Sequence, residues 1–181
     1  MRSSRDLVQC LALTAVVSLG GCVEQAPPAP ERVESSAAAV QSPGPQAEAF
    51  ASDVADAMID RLVALLFREF AVTTAENAAV GSAAISNVFH DDNPTMRLVG
   101  DVGPLQDGNL PQDSFEADAL AAAKQGQNFS ATEKVSGKWY VRKSLAVSVE
   151  FSSSCVHCHS NFTNLSNPWV GALMVRARVP D

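Results

Sequence analysis

The chain has 181 residues, a formal net charge of −7, four cysteines and three histidines. The length sets one domain as the expectation. The acidic balance makes a poor nucleic-acid binder. If Cys10 is removed with a signal segment and Cys22 is modified, only Cys155 and Cys158 remain, and there is no disulfide framework to build.

Arg2 and Arg5 give a basic start, and Leu7 to Leu19 is an apolar run too short for a comfortable membrane span. This is the pattern of a secretory signal. Its end, Leu19-Gly20-Gly21-Cys22, resembles the bacterial lipobox. In signals of that kind, cleavage leaves the cysteine as the first residue, carrying acyl chains that anchor without a spanning helix. Residues 1–21 are therefore expected to be a lipoprotein signal peptide, with Cys22 lipidated and Cys10 discarded. Losing Arg2, Arg5 and Asp6 leaves the mature chain one unit more negative. Residues 22–48 read as a tether: Pro27, Pro28, Pro30, Pro43 and Pro45 stand among Ala, Ser, Gln and Glu, a composition that cannot bury a core. The folded domain is expected over residues 49–181, about 130 residues and enough for one core.

A first helix is expected from Ala49 to Phe70, because Phe50, Val54, Met58, Leu62, Leu65, Leu66 and Phe70 recur at helical spacing. Thr73-Thr74-Ala75-Glu76 matches a capping box, which starts a second helix from Ala75 to about His90. Asn93-Pro94 ends it. Thr95 to Gln112 is loop-like, with a short strand at Met96–Val99. Asp113-Ser114-Phe115-Glu116 caps a third helix that runs to Gln125, where Gly126 stops it. Phe129 to Val135, a Ser136-Gly137 turn and Lys138 to Val149 read as a β-hairpin. A last strand is expected over Ala172–Val179. Helices first and antiparallel strands later make an α+β order.

Between the hairpin and the last strand lies Cys155-Val156-His157-Cys158-His159. Cys-x-x-Cys-His is the attachment spacing of a c-type haem. On that reading each thiol, Cys155 and Cys158, is expected to form a thioether with one haem vinyl, and His159 to lie under the ring as the proximal axial iron ligand. Its other ring nitrogen is expected to be fixed by a carbonyl or carboxylate. Export fits this reading, since c-type haem is attached outside the cytoplasm in bacteria. Arg97, Arg142 and Lys143 are candidates to meet the haem propionates, and Trp139 and Tyr140 to pack on the porphyrin; each also fits an ordinary surface or hairpin role.

The order of these pieces resembles the PAS-like domains that carry one c-type haem, found alone or as extracytoplasmic sensor parts of histidine kinases and chemoreceptors. The resemblance covers about Ala75 to Val179. It rests on Asn109-Leu110-Pro111 followed by Phe115-Glu116, on Gly137-Lys138-Trp139-Tyr140-Val141-Arg142, on the haem motif, and on Val170-Gly171-Ala172-Leu173-Met174-Val175 as a closing strand. It implies a PAS-like antiparallel sheet with N-terminal helices and one covalent haem c. Asp107-Gly108 stands where the family often has an Arg-Asn-Pro. Some members also ligate iron with a cysteine on the second helix; no cysteine lies between Cys22 and Cys155 here, so that arrangement is excluded.

The sixth iron position is open to argument. His157, between the two thiols, is poorly placed for the same iron. His90 is the distal candidate, because Ala83, Asn87 and His90 are spaced to share a helix face that admits the ring; the competing role is a solvated histidine beside Asp91 and Asp92. Met96 is the second candidate, against a core role beside Leu98. Met58 and Met174 fit core positions, and a five-coordinate or water-ligated iron is the remaining arrangement. A second histidine gives a lower potential than methionine, and an open site binds a small gas.

The expected function is that of an envelope-anchored, single-haem lipoprotein that transfers one electron or senses redox state or a ligand, not an enzyme. Its partners are then the membrane through the lipid, and a redox protein or a signalling protein. Two rivals compete. An exported thiol–disulfide oxidoreductase would use Cys155 and Cys158, with His157 lowering a thiol pKa. A zinc site would use Cys155, Cys158 and His159, although adjacent ligands strain a compact tetrahedron.

Overall fold

A computed structural model describes residues 42–89, 95–103 and 109–181. The signal segment, Cys22, most of the tether and His90 lie outside the described residues.

The first helix, α1, spans Pro45–Val72, four residues earlier than the periodicity suggests. Pro45 is its first residue, where a missing N–H costs nothing and a fixed φ suits the helix. A proline that reads as tether is therefore a helix start. The buried stripe also differs from expectation at this end. Ala51, Ala55, Leu62 and Leu66 are buried, while Phe50 is 59% and Val54 37% exposed. The small alanines let the helix lie close on the sheet.

Thr73 does not open the second helix but closes the first: its N–H reaches the Phe70 carbonyl and its Oγ1 donates to the Glu69 carbonyl at 2.8 Å. The second helix, α2, spans Ala78–Val88 behind Asn77. Asn77 Oδ1 accepts from the Thr74 N–H at 2.6 Å, and Nδ2 donates to the Val72 carbonyl at 2.9 Å. A side chain that ties both ends of the connection outcompetes the capping box. Gly81 keeps the packing tight, since a Cβ there would sit 2.4 Å from Thr73 Oγ1.

Four strands follow in an antiparallel sheet of order β1-β4-β3-β2: β1 Met96–Gly100, β2 Phe129–Val135, β3 Lys138–Ser148 and β4 Trp169–Arg178. Ser136 and Gly137 both have positive φ, 50° and 81°, as a tight turn matching the sheet twist requires. The strand stops at Ser148, one residue short of expectation, because a register shift at Val147/Ser148 turns the chain into a 3-10 turn over Val149–Phe151. The mixed helix and antiparallel sheet is the α+β class.

Side-chain alternation divides the core in two. Leu173, Val175 and Ala177 of β4 face α1, with Val141 from β3. Ala172 and Met174 point the other way, onto helix α3 (Ser114–Ala123), where they meet Phe115, Ala119 and Leu120. Gly171 permits β4 to run close to β1, since a Cβ would stand 2.5 Å from the Val99 carbonyl oxygen. That neighbour is backbone and cannot swing away. Gly171→Ala is therefore expected to cost about 1–3 kcal/mol, the range for forced overpacking; urea unfolding within about 0.5 kcal/mol of wild type would contradict the contact.

Asp113 caps α3 by accepting the Glu116 N–H at 2.9 Å, as the sequence suggests. Burial pushes its carboxyl pKa up, but the Arg142 hydrogen bond, the Glu116 N–H and the charges of Arg142 and Arg176 outweigh that and leave it below the usual value. The unfolded chain therefore binds the proton first as pH falls. The stabilisation is full above the ordinary aspartate pKa near 4 and is lost below it, as pH passes the folded value. Acid unfolding of Asp113→Asn, which keeps a good cap, is expected to show a shallower loss of stability below about pH 4 than wild type.

Candidate functional site

The Cys-x-x-Cys-His segment folds as one short helical turn, Cys155–Cys158, with His159 at its C-terminal end. Cysteines three apart on such a turn share a face. Local hydrogen bonds fix the segment: Cys155 N–H to the Ser152 carbonyl at 3.2 Å, and His159 N–H to the Cys155 carbonyl at 2.9 Å. Ser154, buried, ties it to the end of α1, with Oγ 2.8 Å from the Phe70 carbonyl and 3.2 Å from that of Thr73. Phe151 locks the entry to the segment by stacking on Phe67, with centroids 4.2 Å apart, and meeting Phe70 edge-on. Cys158 Sγ lies 3.5 Å from the Ala78 carbonyl, so the motif abuts the start of α2.

These elements enclose a cavity of about 380 Å³, within the size range of small-molecule and cofactor sites. Cys155, Cys158 and His159 line one part of its wall. Leu66 and Phe70 of α1 and Leu98, Val147 and Gly171 of the sheet supply apolar surface. The α2 side is Ser82, Ile85, Ser86 and Phe89, one face at i, i+3, i+4 and i+7. Ala83 and Asn87 belong to the neighbouring, exposed face and do not line it. Asn109 reaches the rim, its Nδ2 donating to the Leu98 carbonyl at 2.8 Å.

Burial pushes the His159 pKa down, so the neutral, metal-ligating form is favoured. Its Nδ1 is buried without a partner among the described residues, so none of them supplies the expected carbonyl or carboxylate. The ring instead stacks on Phe162, with centroids 4.5 Å apart and planes 11° from parallel. Burial pushes the Cys155 thiol pKa up, and His157 is not among the groups that move it; His157 is exposed. A dithiol tuned for exchange needs the opposite shift. Among the described residues, no three His, Cys, Asp or Glu side chains gather as a group that could hold a bare metal ion.

Several expected contacts fall elsewhere. Met96 packs against the core between α1 and the sheet and does not line the cavity. Its neighbour on the same strand face, Leu98, does. Arg97 and Arg142 lie on the α3 face of the sheet, around buried Glu116. Arg97 Nε is 2.8 Å from Glu116 Oε1, and Arg142 Nη1 is 2.7 Å from Asp113 and 2.6 Å from Glu133. Lys143 pairs with Asp56 at 2.6 Å. None of the three lines the cavity, so their charges serve the fold. Trp139 packs on the α1 core and Tyr140 lies under the Arg176 guanidinium at 4.7 Å. Sequence reasoning missed Ser154, hidden in a serine run, and Phe162. The latter's only sequence signal is its place one short turn after His159.

The chain matches no family model and no curated protein. No described helix is long and apolar enough to cross a membrane.

Proposed function

We propose that this chain is a PAS-like domain carrying one covalent haem c, exported and lipid-anchored at Cys22, which passes single electrons or reports redox state in the cell envelope. One observation carries the reading: both thiols and the following imidazole share the wall of a cavity whose lining is mostly apolar. Helices preceding an antiparallel sheet whose last strand is central agree with the element order of the resemblance.

The residues fit the cofactor. Cys155 and Cys158 would hold it through two thioethers, and His159, whose neutral form burial favours, would offer Nε2, since Nδ1 is enclosed. When bound, haem supplies a one-electron couple at iron. Leu66, Phe70, Leu98 and Val147, which line the cavity, would help exclude water from the bound group. Ser154 holds the thiol-bearing turn against α1. His90 stays the distal candidate; Phe89, its neighbour in the chain, lines the cavity.

The test is an absorption spectrum of the full chain, matured with haem-attachment machinery, in both oxidation states. A red protein with sharp c-type bands on reduction is expected, and a colourless one overturns the reading. Slow carbon monoxide binding to the reduced protein supports a closed electron carrier. Rapid binding turns the assignment to a ligand sensor acting through a signalling partner.

A further inference from the structure

We propose that Phe162 sets the orientation of the His159 imidazole plane, in the role that a hydrogen bond to the second ring nitrogen usually fills. The inference rests on the reading of His159 as the axial ligand and names its positioning residue. A metal-bound histidine almost always donates its other N–H to an acceptor, which fixes ring rotation and raises ligand basicity. His159 Nδ1 is buried and has no acceptor among the described residues. Its rotation is held by a surface instead.

Phe162 supplies that surface. Its ring lies 4.5 Å from the imidazole, centroid to centroid, at 11° from parallel. Backbone geometry puts it there: the Phe162 N–H donates to the His159 carbonyl at 2.9 Å, in a 3-10 turn over Ser160–Asn164. In such a turn, residues three apart eclipse, so the phenyl ring returns over the imidazole. Rotation about the Cβ–Cγ bond of His159 would drive the imidazole edge into the phenyl face. The stack thus fixes the plane without adding electron density to the ring. An imidazole lacking an acceptor is the weaker donor, which favours reduced iron and a higher potential.

The test uses the full, haem-loaded chain with Phe162→Leu, which keeps apolar volume without a flat face, and Phe162→Tyr, which keeps the face. Ferric electron paramagnetic resonance reads the axial imidazole plane, and a redox titration reads the potential. Phe162→Leu is expected to retain covalent haem, broaden and shift the g-values, and lower the potential as water reaches Nδ1. Phe162→Tyr is expected to restore both. Wild-type g-values and potential in Phe162→Leu would overturn the proposal. Lack of covalent haem in the wild type is a different failure, that of the axial-ligand reading. The stack has its own readout in the haem-free chain. An upfield ring-current shift of the His159 ring protons, lost in Phe162→Leu, is expected; unshifted wild-type resonances would overturn the stack itself.

Discussion

Replacing Cys155 and Cys158 together by alanine is expected to abolish all haem that survives denaturation. On the proposed attachment each thiol would supply one thioether, so either single variant would keep one bond while the double variant would keep none. The cavity itself persists, because its walls come from α1, α2 and the sheet. His159 also remains, so any pigment left in the double variant is held only by coordination and packing and leaves on unfolding. In-gel haem staining after boiling in detergent reads the difference directly: strong in wild type, weaker in each single variant, blank in the double. Staining of the double variant equal to wild type would show attachment elsewhere.

The second large effect falls on stability. Glu116 is 3% exposed and stands between Arg97, at 2.8 Å, and Arg142, at 3.7 Å, while its Oε2 accepts the Gln112 N–H at 2.8 Å. Glu116→Ala removes from the interior the carboxylate that Arg97 Nε meets at 2.8 Å. Breaking one side of a buried ion pair costs about 3–5 kcal/mol, against a total stability of about 5–15 kcal/mol for an ordinary domain. Arg142 keeps Asp113 and Glu133 as partners. Arg97 also holds the Leu110 carbonyl at 3.1 Å, next to Asn109 on the cavity rim, so the loss should loosen that rim as well as the fold. Equilibrium urea unfolding checks it, and a change below about 1 kcal/mol would mean the pair is no more than a surface bridge.

Local rules explain what the sequence made legible. The β2–β3 hairpin follows from alternation and from a dipeptide suited to positive φ. The α3 start follows from Asp113, whose side chain reaches a backbone N–H three residues on. The thiol turn follows from spacing alone. Contacts across long stretches of chain were not legible. Arg97 and Arg142 look like free cations for propionates until the fold brings Glu116 between them. The α1 stripe misleads only at its N-terminal end, where Phe50 and Val54 are larger than Ala51 and Ala55, yet the alanines face the sheet. The Thr73 box misleads because Asn77 competes for the same connection. Ala83 and Asn87 lie one stripe away from the α2 face that meets the cavity, a rotation that periodicity cannot resolve in a helix burying so little.

Covalent attachment is tested most directly by intact mass under denaturing conditions, on exported protein matured with haem-attachment machinery. The expected mass is that of the lipidated polypeptide from Cys22 onward plus one haem, with the increment mapping to the peptide that holds Cys155 and Cys158. A mass equal to polypeptide and lipid alone, in cells that load other c-type proteins normally, would contradict it.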